Sequence, residues 1–178
     1  MIRLFVAIDL PEDLRERLAP LQAGLPGANW IDPDNFHVTL RFIGEVAEHR
    51  LEELDELLAG IAAPPFDLAL AGVGSFARGR EPISLWMGLD RSAPLMALQR
   101  RIDRALTRAG FPTDEKRYTP HVTLARLRQV PEPDLAAFIA AHNLFRADPF
   151  RVDQFTLFSS QPGSGGSIYS VEADYLLV

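Results

Sequence analysis

The sequence of 178 residues contains no cysteine. This absence excludes disulfides, thiolate nucleophiles and cysteine-based zinc sites. The sequence also lacks any apolar run of the roughly 18 residues that cross a bilayer. The opening segment, residues 1–13, has neither a basic leader nor a small-residue cleavage site. We therefore interpret it as a first strand and expect a cytoplasmic protein that does not contact a membrane.

Basic residues are also few, and nearly all of them are arginine. The 18 basic residues are outnumbered by 24 acidic ones, which gives a net charge of -6, and Lys116 is the only lysine. Such a charge argues against a protein that coats long nucleic acids by bulk attraction. It remains compatible with a local basic patch that recognises one nucleic-acid end. The length fits one domain with a real core.

An internal repeat organises the chain. Residues Ile2–Asp9 align with Ile83–Asp90 at an offset of 81, with identical or similar residues at seven of the eight positions. Both segments are typical of buried strands that end just before a helix. Apolar residues at helical spacing predict helices over 12–21 and 93–109, and each is followed by a loop and a second strand.

The pattern then repeats again in both halves. We expect helices over 48–61 and 133–141, strands over 66–73 and 150–159, and a last strand over 169–178. These elements predict an α+β fold with a bilobal, pseudo-two-fold duplication, in which each lobe is an antiparallel sheet with helices on its outer face. The whole chain, 1–178, forms one domain, and its repeat halves cover about 1–80 and 81–178.

The same four residues, His-Val-Thr-Leu, begin the second strand of each half, at 37–40 and 121–124. Alternate side chains of a strand share a face, so His37 lies beside Thr39 and His121 beside Thr123. Duplication alone could preserve the pattern, but valine and leucine serve packing whereas histidine and threonine do not obviously do so. Two imidazoles across a central cleft suit general acid–base hydrolysis of a phosphodiester, with the hydroxyls donating to phosphate oxygens.

The other histidines, His49 and His142, lie in predicted helices without this context, and we interpret them as surface residues. A metal site built on His37 and His121 would lack nearby carboxylates or a third histidine at ligand spacing. We therefore expect no metal and no cofactor. The glycine-rich run 163–166 is not followed by Lys-Ser/Thr, so a hairpin loop is expected there rather than a phosphate-binding loop.

These motifs and several further segments resemble the two-histidine (2H) phosphoesterase superfamily, and most closely its RNA 2',3'-cyclic phosphodiesterases, also called 2'-5' RNA ligases. The segments that carry the resemblance span nearly the whole chain: RLFVAIDLP, NFHVTLRFIGE, GSFARGREPISLWMGL, TPHVTLAR and FTLFSS. The resemblance implies metal-free hydrolysis of 2',3'-cyclic phosphate on RNA ends or nucleotides to a 2'-phosphate. It assigns His37 as the proton donor and His121 as the proton acceptor. No protein partner is implied, and a monomer is expected.

The resemblance also suggests Arg126 as a substrate contact, and here it disagrees with simple alternation. Counting from His121 places Ala125 on the catalytic face, whereas counting from His37 places Arg41 there. A bulge near Ala125 would turn Arg126 inward. We keep Arg126 as the first candidate and Arg41 as the second. Weaker candidates are the loop 78–80, which could contact an RNA backbone, and three aromatic residues that could stack on a base: Phe5, Phe42 and Trp86.

Two other functions fit the same residues. A 2'-5' RNA ligase would run the chemistry in reverse, with a 5'-hydroxyl in place of water. A non-catalytic nucleotide-binding module could retain the fold, although both motifs are complete here.

Overall fold

The computed structural model describes residues 1–113 and 115–178, which form a mixture of strands and helices. The helices are α1 (Glu12–Leu18), α2 (Leu51–Ala59), α3 (Ala93–Arg108) and α4 (Glu132–His142). The strands are β1 (Ile2–Asp9), β2 (Ala28–Trp30), β3 (His37–Val46), β4 (Phe66–Leu68), β5 (Leu70–Arg78), β6 (Glu81–Leu89), β7 (Val122–Leu127), β8 (Phe150–Val152), β9 (Gln154–Gly163) and β10 (Gly166–Leu176).

One antiparallel sheet of eight strands runs through the molecule in the order β10-β9-β1-β3-β7-β6-β5, with β2 also paired to β7. The first four strands form one half-sheet, which we call the N-half, and the remaining strands form the C-half. The halves meet where Val38 of β3 pairs with Val122 of β7. Strand β3 begins with the histidine of its His-Val-Thr-Leu motif, and β7 begins at the valine of its own motif, one residue after His121, so the duplicated segments lie antiparallel at the centre of the sheet.

The third long strand of each repeat lies in the half-sheet of the other repeat. Strand β5 pairs with β6, and β9 pairs with β1. The short strands that precede them, β4 before β5 and β8 before β9, pair with each other in a separate two-stranded sheet. The two repeats exchange places at this sheet. The point near residue 80 where the predicted repeat halves meet lies in the turn of the β5–β6 hairpin. Sequence repeats locate the elements but do not specify their pairing partners.

The helices cover one face of the sheet. The apolar side of α3, with Leu95, Leu98, Ile102 and Leu106, joins a single large core together with Leu4 and other strand residues. A small second cluster lies on the opposite face, formed by Phe5, Ala7 and Phe158 with Tyr169 against them. We call this opposite side, which the helices leave uncovered, the open face.

The structure confirms the predicted α+β class and the duplicated antiparallel architecture. Each predicted helix is present, and the helix predicted over 48–61 begins as a 3-10 turn at Glu48–Arg50. The strands predicted over 66–73 and 150–159 are each divided in two, at Ala69 and Asp153. Strand β2 was not predicted. Within residues 1–113 and 115–178, no helix has the length and apolar character needed to cross a membrane.

Candidate active site

The register at the centre of the sheet brings the two motifs together on the open face. Because Val38 is directly opposite Val122 in an antiparallel pair, His37 lies opposite Thr123 and Thr39 lies opposite His121. The two valines belong to the core beneath, so all four polar side chains point to the open face. His37 and His121 are diagonal neighbours on adjacent strands. The Cα atoms of such a pair are about 7–8 Å apart.

Backbone carbonyls fix the tautomer of both imidazoles. Nδ1 of His37 lies 2.7 Å from the carbonyl oxygen of Asn35, and Nδ1 of His121 lies 2.6 Å from that of Thr119. A carbonyl can only accept, so each Nδ1 carries a proton and donates it. Each neutral imidazole therefore has its lone pair on Nε2. For His37, Nε2 lies 3.0 Å from Oγ1 of Thr39 on the open face.

Burial lowers the pKa of both imidazoles below the ordinary value of 6.5, because desolvation disfavours the charged form. The hydrogen bonds to Asn35 and Thr119 oppose this effect. For His37, the Asp9 carboxylate also raises the pKa, while positive charge on His121 lowers it further. The two histidines are therefore close enough to titrate as a coupled pair.

Aromatic rings form the surroundings that desolvate the imidazoles. The His37 ring lies 5.0 Å from that of Phe5 and 5.5 Å, edge-on, from that of Tyr169. The His121 ring lies 4.9 Å, also edge-on, from Phe76 and 5.9 Å from Trp86. These contacts restrict both rings while leaving Nε2 directed away from its carbonyl anchor. This role was not predicted: Phe5 and Trp86 were considered for core packing or for stacking on a base, and no contact with a histidine was predicted for Phe76 or Tyr169.

The duplication is electrostatically asymmetric. In the N-half, Asp9 is directly opposite His37. In the C-half, Met87 is opposite Val122, so Gly88 rather than Asp90 comes opposite His121. The register thus differs by two residues between the halves, a shift that preserves which face each side chain occupies. As a result, within residues 1–113 and 115–178, a carboxylate is opposite His37 in the register and none is opposite His121.

Strands β3 and β7 separate on both sides of their shared pair. On one side Tyr118 donates its hydroxyl to the backbone carbonyl of Thr39, at 2.7 Å. On the other side β2 inserts against β7, pairing Asn29 with Arg126. Sequence reasoning missed both features, since β2 has only three residues and Tyr118 lies in a loop. Together they hold the motifs at a fixed separation.

A bulge follows each motif and changes the alternation. The pairing of β7 with β6 shifts between Leu85 and Trp86 of β6. Beyond this shift, Arg126 lies opposite Ser84. Ala125 is buried and Arg126 is exposed, so Arg126 shares the open face with His121 and Thr123. The bulge that this placement required is therefore present.

The placement of Arg41 on the same face is wrong. A register shift in β3 buries both Leu40 and Arg41, and Phe42 takes the open-face position, 59% exposed. The Arg41 guanidinium instead turns toward the helices. Its Nε donates to Oδ1 of Asp103 on α3, at 2.7 Å, and its Nη1 donates to the carbonyl of Phe42, at 2.6 Å. Strict alternation failed because one extra residue moves every later side chain to the other face.

The remaining histidines lie away from this group. His49 is exposed in the turn before α2, and His142 packs against Phe138 at the end of α4. Throughout the described part of the chain, no group of three or more histidine or acidic side chains is arranged to hold a metal ion.

Paired His-x-Thr motifs on one face of a duplicated antiparallel sheet define the class of the two-histidine phosphoesterases. Comparison with known proteins agrees with this class. The sequence model described as the 2'-5' RNA ligase superfamily matches residues 10–163. The chain therefore belongs to that superfamily, and the resemblance inferred from its motifs is confirmed.

Two relatives and one solved structure illustrate the similarity. The chain is 30% identical over 171 residues to the RNA 2',3'-cyclic phosphodiesterase of Archaeoglobus fulgidus, which covers 94% of this chain and 96% of that protein. It is 32% identical over 177 residues to the protein of the same description from Escherichia coli, with 94% and 92% covered. The crystal structure of E. coli LigT complexed with 3'-AMP superposes with a TM-score of 0.82 at 29% identity, covering 99% and 98% of the two chains.

Proposed function

We propose that this protein hydrolyses the terminal 2',3'-cyclic phosphate of RNA to a 2'-phosphate, using His37 and His121 as an acid–base pair. The observation that carries the proposal is the pair of imidazoles on one open face, each with Nδ1 bonded to a carbonyl and Nε2 left for proton transfer. The names of the curated relatives supply the substrate class.

The reaction needs one neutral and one protonated imidazole. His121 accepts a proton from water at Nε2 as the water oxygen attacks phosphorus. The bond between phosphorus and O3' breaks, and His37 gives its Nε2 proton to O3', which leaves a 2'-phosphate and a 3'-hydroxyl. Asp9 supports this assignment of roles, because its carboxylate is opposite His37 and raises the pKa of that imidazole. Burial, which is the largest effect, and Arg15, which forms an ion pair with Asp9, act in the other direction, so the pKa of His37 is lowered overall.

Thr39 and Thr123 are proposed to hold the phosphate between the imidazoles. Each hydroxyl lies opposite one histidine in the register, so together they can donate to the two non-bridging oxygens. Arg126 lies further along the same face and would balance phosphate charge. Phe42, the exposed ring at the corresponding position of the N-half, offers a face on which a base can stack.

No metal is required by this scheme. Two imidazoles, two hydroxyls and one guanidinium can offset the single negative charge of a cyclic phosphodiester. Hydrolysis should therefore proceed unchanged after exhaustive chelation with EDTA. A rate that collapses on chelation and returns with one added metal would contradict the metal-free mechanism.

Ligation is the second candidate, favoured by the description of the matching superfamily. A 5'-hydroxyl of RNA in place of water would form a 2'-5' linkage at the same site. Water at its bulk concentration makes hydrolysis the expected net direction.

One incubation separates these functions. An oligonucleotide ending in a 2',3'-cyclic phosphate is mixed with the protein, with and without a 5'-hydroxyl oligonucleotide, and the product ends are identified by mass spectrometry and phosphatase sensitivity. A 2'-phosphate end supports the proposal. A 3'-phosphate end would contradict the assigned leaving group, and an unaltered substrate would favour a binding module.

A further inference from the structure

Three arginines are grouped at one end of the open face, beyond the motif of the C-half. Arg78 lies at the end of β5, Arg126 near the end of β7, and Arg128 just after β7. All three side chains are exposed. Within residues 1–113 and 115–178, none of the three takes part in an ion pair or a side-chain hydrogen bond. In a chain of net charge -6, three neighbouring arginines of which none forms an ion pair among the described residues need an explanation, because even Glu81, which is opposite Arg78 in the register, does not bind it.

The register of the C-half puts these side chains on one face. Phe76 pairs with Ser84, and Ser84 with Arg126, so the three form one row across the strands. Arg78 is two residues beyond Phe76 on β5, and Arg128 is two beyond Arg126 on β7, so each keeps the face of its predecessor on its own strand. Because the β5–β6 pairing shifts after Phe76, Arg78 pairs with Glu81 and lies one residue beyond the row of Arg128. Two strand spacings separate Arg78 from Arg128, about 10 Å. Long side chains from both positions can therefore reach an anion lying between them.

The backbone that carries Arg128 is held in place. Gln129, the next residue, has a φ of 54°, which is the only positive φ among the described non-glycine residues. The amide of Arg128 donates to the carbonyl of Gly27, at 3.4 Å. Gly27 lies so close that a Cβ there would stand 2.9 Å from the Arg128 carbonyl oxygen. A left-handed residue and a tightly packed glycine thus fix the direction in which the chain leaves β7.

The position of the leaving group indicates where the rest of the RNA strand lies on the open face. His37 is opposite Thr123, so it lies between His121 and Arg126 along β7. If His37 protonates O3', the ribose that carries O3' lies on the His37 side of the phosphorus, displaced along β7 in the direction of Arg126 and across to β3. In this scheme the 5'-phosphate attached to the same ribose continues along β7 toward Arg128, and Arg78 would approach it from β5, across β6. This step rests on the proposed function.

The other end of the face is different in character. The position of the N-half that corresponds to Arg126 is occupied by Phe42, and its row continues through Phe5 to Phe158. That row is aromatic, although one exposed arginine, Arg3, lies two residues before Phe5 on β1 and pairs with Glu45. The C-half end differs in grouping three exposed arginines.

We propose that Arg78 and Arg128 form a binding site for the RNA strand upstream of the cyclic phosphate, contacting the 5'-phosphate of the terminal nucleotide. The preferred substrate is accordingly an oligonucleotide rather than a mononucleotide. The site acts on binding, because neither arginine adjoins the four motif side chains.

The test compares two substrates with the same terminal base: cytidine 2',3'-cyclic phosphate and a single-stranded pentanucleotide ending in that group. Arg78→Gln and Arg128→Gln should each lower kcat/KM for the pentanucleotide by about threefold to tenfold through KM. Both should leave the mononucleotide unchanged. The slope of log KM against log salt concentration for the pentanucleotide should fall by about 0.7 for each arginine removed.

Two matched variants serve as controls. Arg104→Gln removes one exposed charge from α3, on the helix-covered face, and should not alter either substrate. Glu81→Gln removes the acid opposite Arg78 and should lower KM for the pentanucleotide. Equal losses on both substrates, or an Arg104→Gln effect as large as those of the other two, would overturn the site.

Failure of the proposed function would look different. Wild-type protein would then hydrolyse neither substrate. Fluorescence anisotropy with a 5'-labelled pentanucleotide would still test the arginines: weaker binding by Arg78→Gln and Arg128→Gln but not Arg104→Gln supports the site, and unchanged affinity in all three overturns it.

Discussion

Gly74→Ala provides a steric test of how His121 is supported. Gly74 of β5 pairs with Trp86 of β6, and the indole lies across the glycine. A Cβ at residue 74 would stand 2.3, 2.5 and 2.8 Å from three carbon atoms of the six-membered indole ring. Carbon atoms in contact are about 3.5–4.0 Å apart, so the indole must move by more than about 1 Å.

The magnitude follows from this displacement. Overpacking of this kind costs about 1–3 kcal/mol, which for a chain of this size lowers Tm by about 2–12 °C. The Trp86 ring lies 5.9 Å from that of His121, so the imidazole loses part of its support. A misplacement of about 1 Å can reduce turnover by up to about 10²-fold. Thermal melting and steady-state hydrolysis of the pentanucleotide measure the two effects.

A double-mutant cycle isolates the cause. Phenylalanine at residue 86 lacks the outer indole atoms, so Gly74→Ala should be markedly less destabilising in a Trp86→Phe background. Gly165→Ala is the control, because a Cβ there meets nothing within 4 Å. If Gly74→Ala changes stability by less than about 0.5 kcal/mol, or equally in both backgrounds, the steric argument is refuted.

Three further predictions concern the site. Burial lowers the pKa of both His37 and His121, and the bell-shaped pH profile of kcat/KM reports the pKa values of the free enzyme. The maximum of this profile should therefore lie below pH 6.5, and a maximum well above this pH would contradict the burial argument. Asp9→Asn removes the charge that raises the pKa of His37, so the alkaline limb should move to lower pH, and an unmoved limb would exclude this role for Asp9. Thr39→Val and Thr123→Val each delete one phosphate contact and should slow turnover by about 10²-fold or less without lowering Tm; wild-type rates in both would remove the hydroxyls from the mechanism.

The repeated strand–helix–strand pattern was sufficient to predict the fold class, because apolar periodicity determines which face of each element is buried. It was not sufficient to predict pairing. The exchange of β5 and β9 between half-sheets leaves every local pattern unchanged, and three-residue β2 is too short to show a period. Element types are thus readable locally, whereas partners depend on contacts between residues distant in the chain.

The site shows the same limit at the level of single residues. The His37 and His121 motifs could be predicted because identical polar positions recurred in a duplicated strand. Arg41 could not be placed, since a bulge depends on how β3 fits against β1 rather than on the β3 sequence alone. The sequence also did not predict that an aspartate is opposite His37 but not opposite His121. Asp9 and Asp90 align in the repeat, but the strand register differs between the two halves.

The central claim is that His37 and His121 act together as acid and base, and alanine substitution tests it most directly. On the pentanucleotide, His37→Ala and His121→Ala should each reduce kcat by about 10²–10⁴-fold. The double variant should lose much less than the product of the single losses, because the two residues act as a unit. His49→Ala and His142→Ala should retain the wild-type rate. Wild-type activity in both single variants, or a loss confined to His49→Ala or His142→Ala, would contradict the assignment of the site.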